Sequence, residues 1–123
     1  MVALTAAIVN LYVNDNATFQ DPLQFGVTGD TSWSFTNMSF EMAVKASRDD
    51  PTSLAIFYSS AGDIVVDNAV TRVLHFNVPD ATIQAKFPPA EYVYDLVMLD
   101  TSSPPIRTVL AQGHFIVEHG VTP

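Results

Sequence analysis

The chain has 123 residues, of which 48% are hydrophobic and only 15% charged, a composition typical of one globular domain rather than a disordered chain. Its 13 acidic residues against 5 basic ones give a net charge of −8, and the basic residues are scattered along the sequence. This pattern argues against nucleic acid and against an anionic membrane surface as partners. With no cysteine, the chain has no disulfide and no thiolate chemistry.

The first predicted strand covers residues 4–13 and follows directly from the apolar amino terminus. No basic segment precedes it, and no stretch approaches the ~20 apolar residues that a membrane span requires. We therefore expect a soluble chain without a signal peptide or transmembrane segment. A turn at Asn14-Asp15-Asn16 leads into a second strand, 17–25. This strand should lie at a sheet edge or bend, because Pro22 cannot donate a ladder hydrogen bond.

The middle of the chain continues as strands separated by turns. Residues 26–30 are predicted as a loop, and 32–35 as a short strand. In the predicted strand 38–46, apolar side chains at every second position should face the core: Phe40, Met42 and Val44.

Three short strands are predicted next, over residues 54–58, 64–66 and 72–78, with turns at 60–63 and at Asp67-Asn68. One segment, 80–86, has a helical pattern. We expect Asp80 to cap one or two helical turns, which Pro88-Pro89 then ends.

The last two predicted strands, 91–99 and 106–117, should pair with each other. Tyr92 follows a proline-rich corner, so its hydroxyl is expected to hydrogen-bond back to the chain, as tyrosines do in sandwich folds. Alternation on the first of these strands places Asp95 outward and four larger side chains inward: Tyr92, Tyr94, Leu96 and Met98.

About eight strands joined mostly by short turns favour antiparallel pairing, and two packed sheets are the stable way to bury their apolar faces. We predict an all-β fold, an antiparallel two-sheet β-sandwich of immunoglobulin-like character. It forms a single domain over residues 1–123, with one short helical turn near 80–86. A jelly roll or a small barrel is the alternative.

The sequence contains none of the common catalytic or phosphate-binding motifs, so we predict that the protein is not an enzyme and assign no catalytic, cofactor-binding or metal-binding residue. The three histidines are His75, His114 and His119. An odd spacing of five residues places the last two on opposite faces of an extended strand, which disfavours a shared metal site.

Carboxylate pairs are also interpreted as structural. Glu91 and Asp95 share the solvent face of one strand, and the remaining candidates fall in predicted turns, where aspartate is a common turn former: Asp49, Asp50, Asp63, Asp67, Asp80 and Asp100. Two tripeptides match the glycosylation pattern, Asn16-Ala17-Thr18 and Asn37-Met38-Ser39, and both are interpreted as chance matches.

The aromatic residues allow one binding hypothesis. At strand alternation most of them should be core residues: Phe35, Phe40, Phe57, Tyr58, Phe76, Tyr92, Tyr94 and Phe115. Trp33 follows a Gly-Asp-Thr loop and is the candidate for a sugar-stacking platform. A carbohydrate-binding sandwich is therefore the alternative function.

Five short motifs recur in a fixed order: Asn16-Ala17-Thr18-Phe19, Phe40-Glu41-Met42-Ala43-Val44, Gly62-Asp63-Ile64, Tyr92-Val93-Tyr94-Asp95-Leu96, and a closing strand with Gly113, Phe115-Ile116-Val117 and Val121-Thr122. In this layout the chain resembles the small β-sandwich structural proteins of tailed bacteriophages and prophages. The resemblance covers nearly the whole chain and carries over no catalytic residue.

The resemblance implies a non-enzymatic virion protein, assembled in the bacterial cytoplasm. It would be an adaptor of the tail, baseplate or fibre, or a capsid decoration module. The implied partners are other virion or tail proteins and copies of the same chain, since particles are symmetric. No cofactor is implied.

Overall fold

A computed structural model describes residues 6–25 and 33–121, about half of which form two β-sheets, together with one short α-helix and a 3-10 helix at Ser59–Ala61. In chain order the elements are β1 (Ala7–Ile8), β2 (Leu11–Asn14), β3 (Pro22–Gln24), β4 (Ser39–Lys45), β5 (Ala55–Tyr58), β6 (Ile64–Asn68), β7 (Val73–Phe76), α1 (Asp80–Lys86), β8 (Ala90–Leu99) and β9 (Arg107–Glu118).

The larger sheet has the order β1-β9-β8-β4-β5, with β2 also pairing with β9, and the smaller sheet has the order β3-β7-β6. All pairings between these strands are antiparallel except two, because β1 and β2 both run parallel to β9. The expected antiparallel pairing is therefore wrong for the first predicted strand. The closing strand does pair with β8 as predicted, from Ala90↔Val117 to Leu99↔Arg107.

Side chains from both sheets meet in one hydrophobic core. Phe19 stacks on Phe76 of the smaller sheet at 4.8 Å between ring centroids, and it meets Phe115 of the larger sheet edge-on at 5.7 Å. Aromatic pairs in these geometries contribute more than their buried area alone. The all-β, sandwich-like architecture predicted from the sequence is therefore confirmed.

The predicted inward faces are confirmed in both central strands. Phe40, Met42 and Val44 are buried on β4, and the four predicted positions on β8 are buried as well: Tyr92, Tyr94, Leu96 and Met98. Period-two alternation identified these residues because each of the two strands buries only one face.

The first predicted strand, 4–13, is divided into two pieces in its described part. The chain leaves the ladder at Val9 and Asn10, between β1 and β2. There the Val9 carbonyl accepts a hydrogen bond from the Tyr94 hydroxyl at 2.6 Å, and the Asn10 side chain accepts one from the His114 backbone. Side-chain partners replace ladder partners at this bend, which sequence alternation does not record.

Residues 17–25 form far less strand than predicted. Phe19 makes an isolated bridge with Val78, and only Pro22–Gln24 form a strand, at the edge of the smaller sheet as proline requires. Residues 33–35 of the predicted strand 32–35 are not strand, although Phe35 bonds to the Ala69 carbonyl. Ser32 and the predicted loop 26–30 lie outside the described residues.

One predicted turn and the strand that follows it also need correction. Asp67 and Asn68 belong to β6, which ends with a bulge, and the turn follows at residues 69–72. The ladder of the next strand covers Val73–Phe76 rather than 72–78. Arg72 is left out of this ladder because it has a positive φ of 59° and because its side chain is buried, bonding to loop carbonyls.

The helical segment has the predicted bounds, Asp80–Lys86, but its cap is Pro79, so that Asp80 is the first helical residue instead of the cap. The corner that follows is confirmed in detail, because the Tyr92 hydroxyl donates a hydrogen bond to the Pro88 carbonyl. Among the described residues, no helix has the length and apolar character that crossing a membrane demands.

Candidate interaction surface

The three histidines lie apart, each beside a carboxylate. His75 contacts Asp67 at 2.8 Å and His114 contacts Glu91 at 2.8 Å, while His119 contacts Asp15 at 2.8 Å. Within residues 6–25 and 33–121 no three metal-ligating side chains come together. His75 also lies opposite Pro22 and Val65 in the smaller sheet.

The aspartates predicted in turns divide into two groups. Asp49, Asp50, Asp63 and Asp100 lie in turns, bends or strand ends, whereas Asp67 is in β6 and Asp80 is in α1. The Asp100 carboxylate accepts hydrogen bonds from the backbone N–H groups of Ser102 and Ile106, and these bonds lower its pKa. This is a structural loop carboxylate.

Trp33 packs against the core and is partly buried. The Arg72 guanidinium lies over its ring, 5.3 Å from the centroid, and donates hydrogen bonds to the carbonyls of Phe25 and Trp33. A sugar platform needs an open aromatic face, and one face of this ring is covered by the guanidinium. Of the other predicted core aromatics, Tyr58 is the exception, with 41% of its surface exposed.

The outward side of the larger sheet is unusually apolar. We call it the outer face, and its first row runs across four neighbouring strands as Tyr58, Glu41, Val97 and Val109, which are register partners. The next row runs as Ile56, Ala43, Asp95, Gln112 and Ile8.

Large apolar side chains of these rows are open to solvent. Ile56 is 42% exposed and Ile8 81%, and Val109 is also exposed. A sandwich normally carries polar residues on its outward positions, so a run of apolar ones marks a contact surface. On β8, three of the five outward positions are apolar: Val93, Val97 and Leu99.

Three carboxylates of the outer face form ion pairs. Arg107 pairs with Glu41 across the first row, Arg48 pairs with Asp95 at 3.0 Å, and His114 with Glu91 at 2.8 Å. Exposed pairs of this kind contribute little stability, about 0–1 kcal/mol. Their effect here is to balance charge locally.

A shallow depression lies on the outer face beside the Arg48–Asp95 pair. It is lined by Ala43, Lys45, Arg48, Val93, Tyr94 and Asp95. It encloses a volume of about 50 Å³. Small-molecule sites are usually deeper clefts of about 300–1,000 Å³, so this shape suits contact with a macromolecule better than a small ligand.

The sequence contains a signal for the outer face, namely apolar residues at outward strand positions. A prediction based on the buried positions alone misses it. Glu91, Val93, Asp95, Val97 and Leu99 are the complement of the buried set on β8, and a solvated face would have polar residues at most of these positions. The sequence does not give the strand order. That order places Val97 between Glu41 and Val109, with Tyr58 on the other side of Glu41.

Comparison with known proteins identifies no relative of this chain. No protein-family model matches the chain, and the search of curated proteins finds no match either. The resemblance to bacteriophage structural proteins therefore stays a prediction based on the order of its motifs.

Proposed function

We propose that the protein is a non-enzymatic virion component of a tailed bacteriophage or prophage, which acts by protein–protein association. It would be a tail, baseplate or fibre-associated adaptor or a capsid decoration module. The observation that carries the proposal is the outer face, a partly apolar surface that spans the larger sheet and holds most of its charges in ion pairs. Such a surface is suited to binding another protein.

An immunoglobulin-like topology is part of the proposal. The order β9-β8-β4-β5 facing β3-β7-β6 fits the arrangement of immunoglobulin domains, in which G-F-C-C′ packs on B-E-D. The Tyr92 hydroxyl on the Pro88 carbonyl fits the tyrosine corner at the start of strand F. These features support the topology, and a sandwich of this kind leaves both sheet faces available for assembly contacts.

The motif layout over residues 16–122 is a second support, since its order resembles that of small bacteriophage structural proteins. A neighbouring tail-fibre or capsid gene would add weight to the proposal. The proposed virion role can be tested directly on purified particles.

The test uses virions produced by the phage or induced prophage that encodes the chain. Particles are purified by density gradient, digested and analysed by mass spectrometry, and the protein is located on them by labelled antibodies in electron microscopy. We expect it in stoichiometric amounts at one structural position. Expression in the infected cell combined with absence from purified particles would overturn the proposal.

A further inference from the structure

We propose that the outer face binds a second copy of this chain, so that the protein forms a two-fold symmetric dimer through its larger sheet. This identifies the partner of the surface described above and rests on the proposed function, since particle assembly gives the dimer its use. It also has physical support of its own, in the way charge is distributed over the molecule.

Charge is distributed unevenly between the outer face and the rest of the chain. The outward strand positions of the larger sheet, together with Arg48, carry three of the five basic residues of the sequence: Lys45, Arg48 and Arg107. They carry four carboxylates: Glu41, Glu91, Asp95 and Glu118. Four against three leaves a net charge of −1 on this face, and the total of −8 then leaves −7 for the rest of the sequence.

This distribution favours a copy of the same chain over a different partner. Two molecules of net charge −8 repel each other, and the repulsion is smaller when they meet through a face that is nearly neutral. A different partner selected by electrostatics would be basic and would bind the acidic surfaces instead. In a two-fold contact the same patch meets itself, so a balanced patch is the type that avoids like-charge contacts.

The ion pairs fit this arrangement. Glu41 of the first row pairs with Arg107 of β9, and Asp95 of the next row pairs with Arg48 in the turn after β4. In a two-fold contact each residue i of one copy meets a residue j of the other and the reverse, so apolar residues such as Tyr58 and Val97 can meet apolar residues of the second copy while each carboxylate keeps its basic partner. Buried this way, the apolar rows supply the driving force, at about 25 cal/mol per Å² removed from water.

The size of the face sets the expected affinity. Five strand positions at ~4.8 Å spacing give a width of about 19 Å, and the outward residues of β8 extend over about 26 Å. These dimensions give a projected area of about 500 Å², below the roughly 800 Å² per partner that a standard stable interface buries. We therefore expect a reversible dimer with a dissociation constant in the micromolar range, strengthened when many copies gather on a particle.

Sedimentation velocity of the purified chain, from about 5 to about 500 µM, tests the inference, because this range spans micromolar dissociation constants. We expect a monomer–dimer equilibrium that tightens as salt is raised, since salt screens the repulsion between like-charged copies. An association held by opposite charges would instead weaken. A monomer at every concentration and salt would overturn the inference.

Two variants on the first row, Tyr58→Glu and Val97→Glu, should each weaken dimerisation at least tenfold by placing a carboxylate in the contact. The matched control is Val70→Glu, which makes the same kind of change at a 72% exposed position in the turn after β6. It should dimerise like the wild type. Circular dichroism and urea midpoints establish that each variant is folded, and Ile56→Lys replaces any variant that is not.

The outcomes separate the dimer from the virion role. Equal weakening by the control and by the row variants would overturn the dimer surface. A monomeric protein that still enters particles, and loses entry with Tyr58→Glu, would assign the face to another virion protein and overturn the inference alone. A dimer absent from particles would leave the inference standing and overturn the proposed function.

Discussion

At the scale of single residues, two tyrosine hydroxyls of β8 hold the chain where it leaves the larger sheet. Tyr92 donates to the Pro88 carbonyl at the corner before β8, and Tyr94 donates to the Val9 carbonyl at the break between β1 and β2. Both rings are buried, and burial raises the pKa of Tyr92 and raises that of Tyr94 to about 12. Both hydroxyls therefore remain donors across the physiological range.

Two substitutions of Tyr92 should distinguish the contribution of its hydroxyl to stability from that of its ring. Tyr92→Phe removes one hydrogen bond and should cost about 1 kcal/mol, whereas Tyr92→Ala also removes a ring packed on Phe87 and should cost about 3 kcal/mol or more. Urea unfolding at pH 7 measures both. An alanine variant with an unchanged midpoint would contradict the assignment of Tyr92 as a structural residue.

Asp15 is a residue whose role appears only in the folded chain. Its carboxylate accepts a hydrogen bond from the Gly120 N–H at 2.7 Å and contacts His119 Nδ1 at 2.8 Å, which ties the turn after β2 to the end of β9. The Gly120 bond, followed by the His119 bond, lowers the pKa of Asp15 below its usual 3.8.

The lowered pKa of Asp15 predicts an acid-dependent stability. Because the folded state binds this proton less tightly than the unfolded state, the contribution is complete above the unfolded pKa and is lost as pH falls through the folded one. We expect Asp15→Asn to be less stable than wild type at pH 7, with the difference shrinking as pH falls below the unfolded value of ~3.9 toward the lowered pKa of the folded state. Urea midpoints across this range measure the difference.

Asp21 supplies the control of opposite sign. Burial raises the pKa of this carboxyl, so the folded state favours its protonated form, and stability from this group is lost as pH rises. Asp21→Asn should therefore be at least as stable as the wild type at pH 7, the opposite sign to Asp15→Asn, with the difference shrinking as pH falls and the wild-type carboxyl becomes protonated. A stability difference for Asp15→Asn that stays constant from pH 7 to pH 3 would contradict the assigned cause.

At the scale of elements, β9 organises the larger sheet, because it pairs with β8 on one side and with both β1 and β2 on the other. The break between β1 and β2 passes close over Gly113 of β9. A Cβ at Gly113 would lie well inside contact distance of the Val9 carbonyl, which the neighbouring Tyr94 hydroxyl also holds. Glycine is required here because of close approach by backbone.

Gly113→Ala should therefore destabilise the fold by roughly 1–3 kcal/mol, the usual range for overpacking, by pushing the β1–β2 break away from β9. The matched control is Gly62→Ala, where the φ of 85° is strained for alanine but no atom lies within 4 Å of the new Cβ. That change should cost about 1 kcal/mol. Thermal unfolding compares them, and equal losses would contradict the close-approach explanation.

Sequence patterns predicted the central strands β4 and β8 of the larger sheet well, and they predicted the segments between the main strands poorly. In β4 and β8, alternation identified the buried faces because each strand buries one side along most of its length. Residues 17–21 and 33–35 have β-forming side chains but hold their backbone by isolated contacts, such as Phe19 with Val78. Whether a ladder forms there depends on a partner distant in sequence.

At the scale of the whole molecule, the core joins both sheets so closely that they should not unfold separately. Phe19 contacts Phe76 and Phe115, and Phe87 contacts Phe115 and Tyr92 at 5.2 and 5.3 Å between centroids. Single domains of this size usually unfold in one step. A continuous aromatic cluster across both sheets is the physical reason to expect it here.

Two fully buried leucines test this cooperativity. Leu74→Ala on β7 and Leu96→Ala on β8 should each destabilise the protein by about 2–5 kcal/mol and shift one common transition, whichever sheet is altered. Calorimetry and near-ultraviolet circular dichroism should report the same midpoint in each variant. Two separated transitions, one moved by each substitution, would contradict a single domain.

The all-β class, the positions of the main strands and the inward faces of β4 and β8 could be read from the sequence, because they depend on local alternation and turn residues. The helix over Asp80–Lys86 was equally local, since a proline pair ends it. Only the tertiary structure decided the parallel docking of β1 and β2 on β9 and the joining of Asp15 to His119. The outer face, with its charge balanced by ion pairs across three strands, also arose only there, because these contacts link residues far apart in the chain.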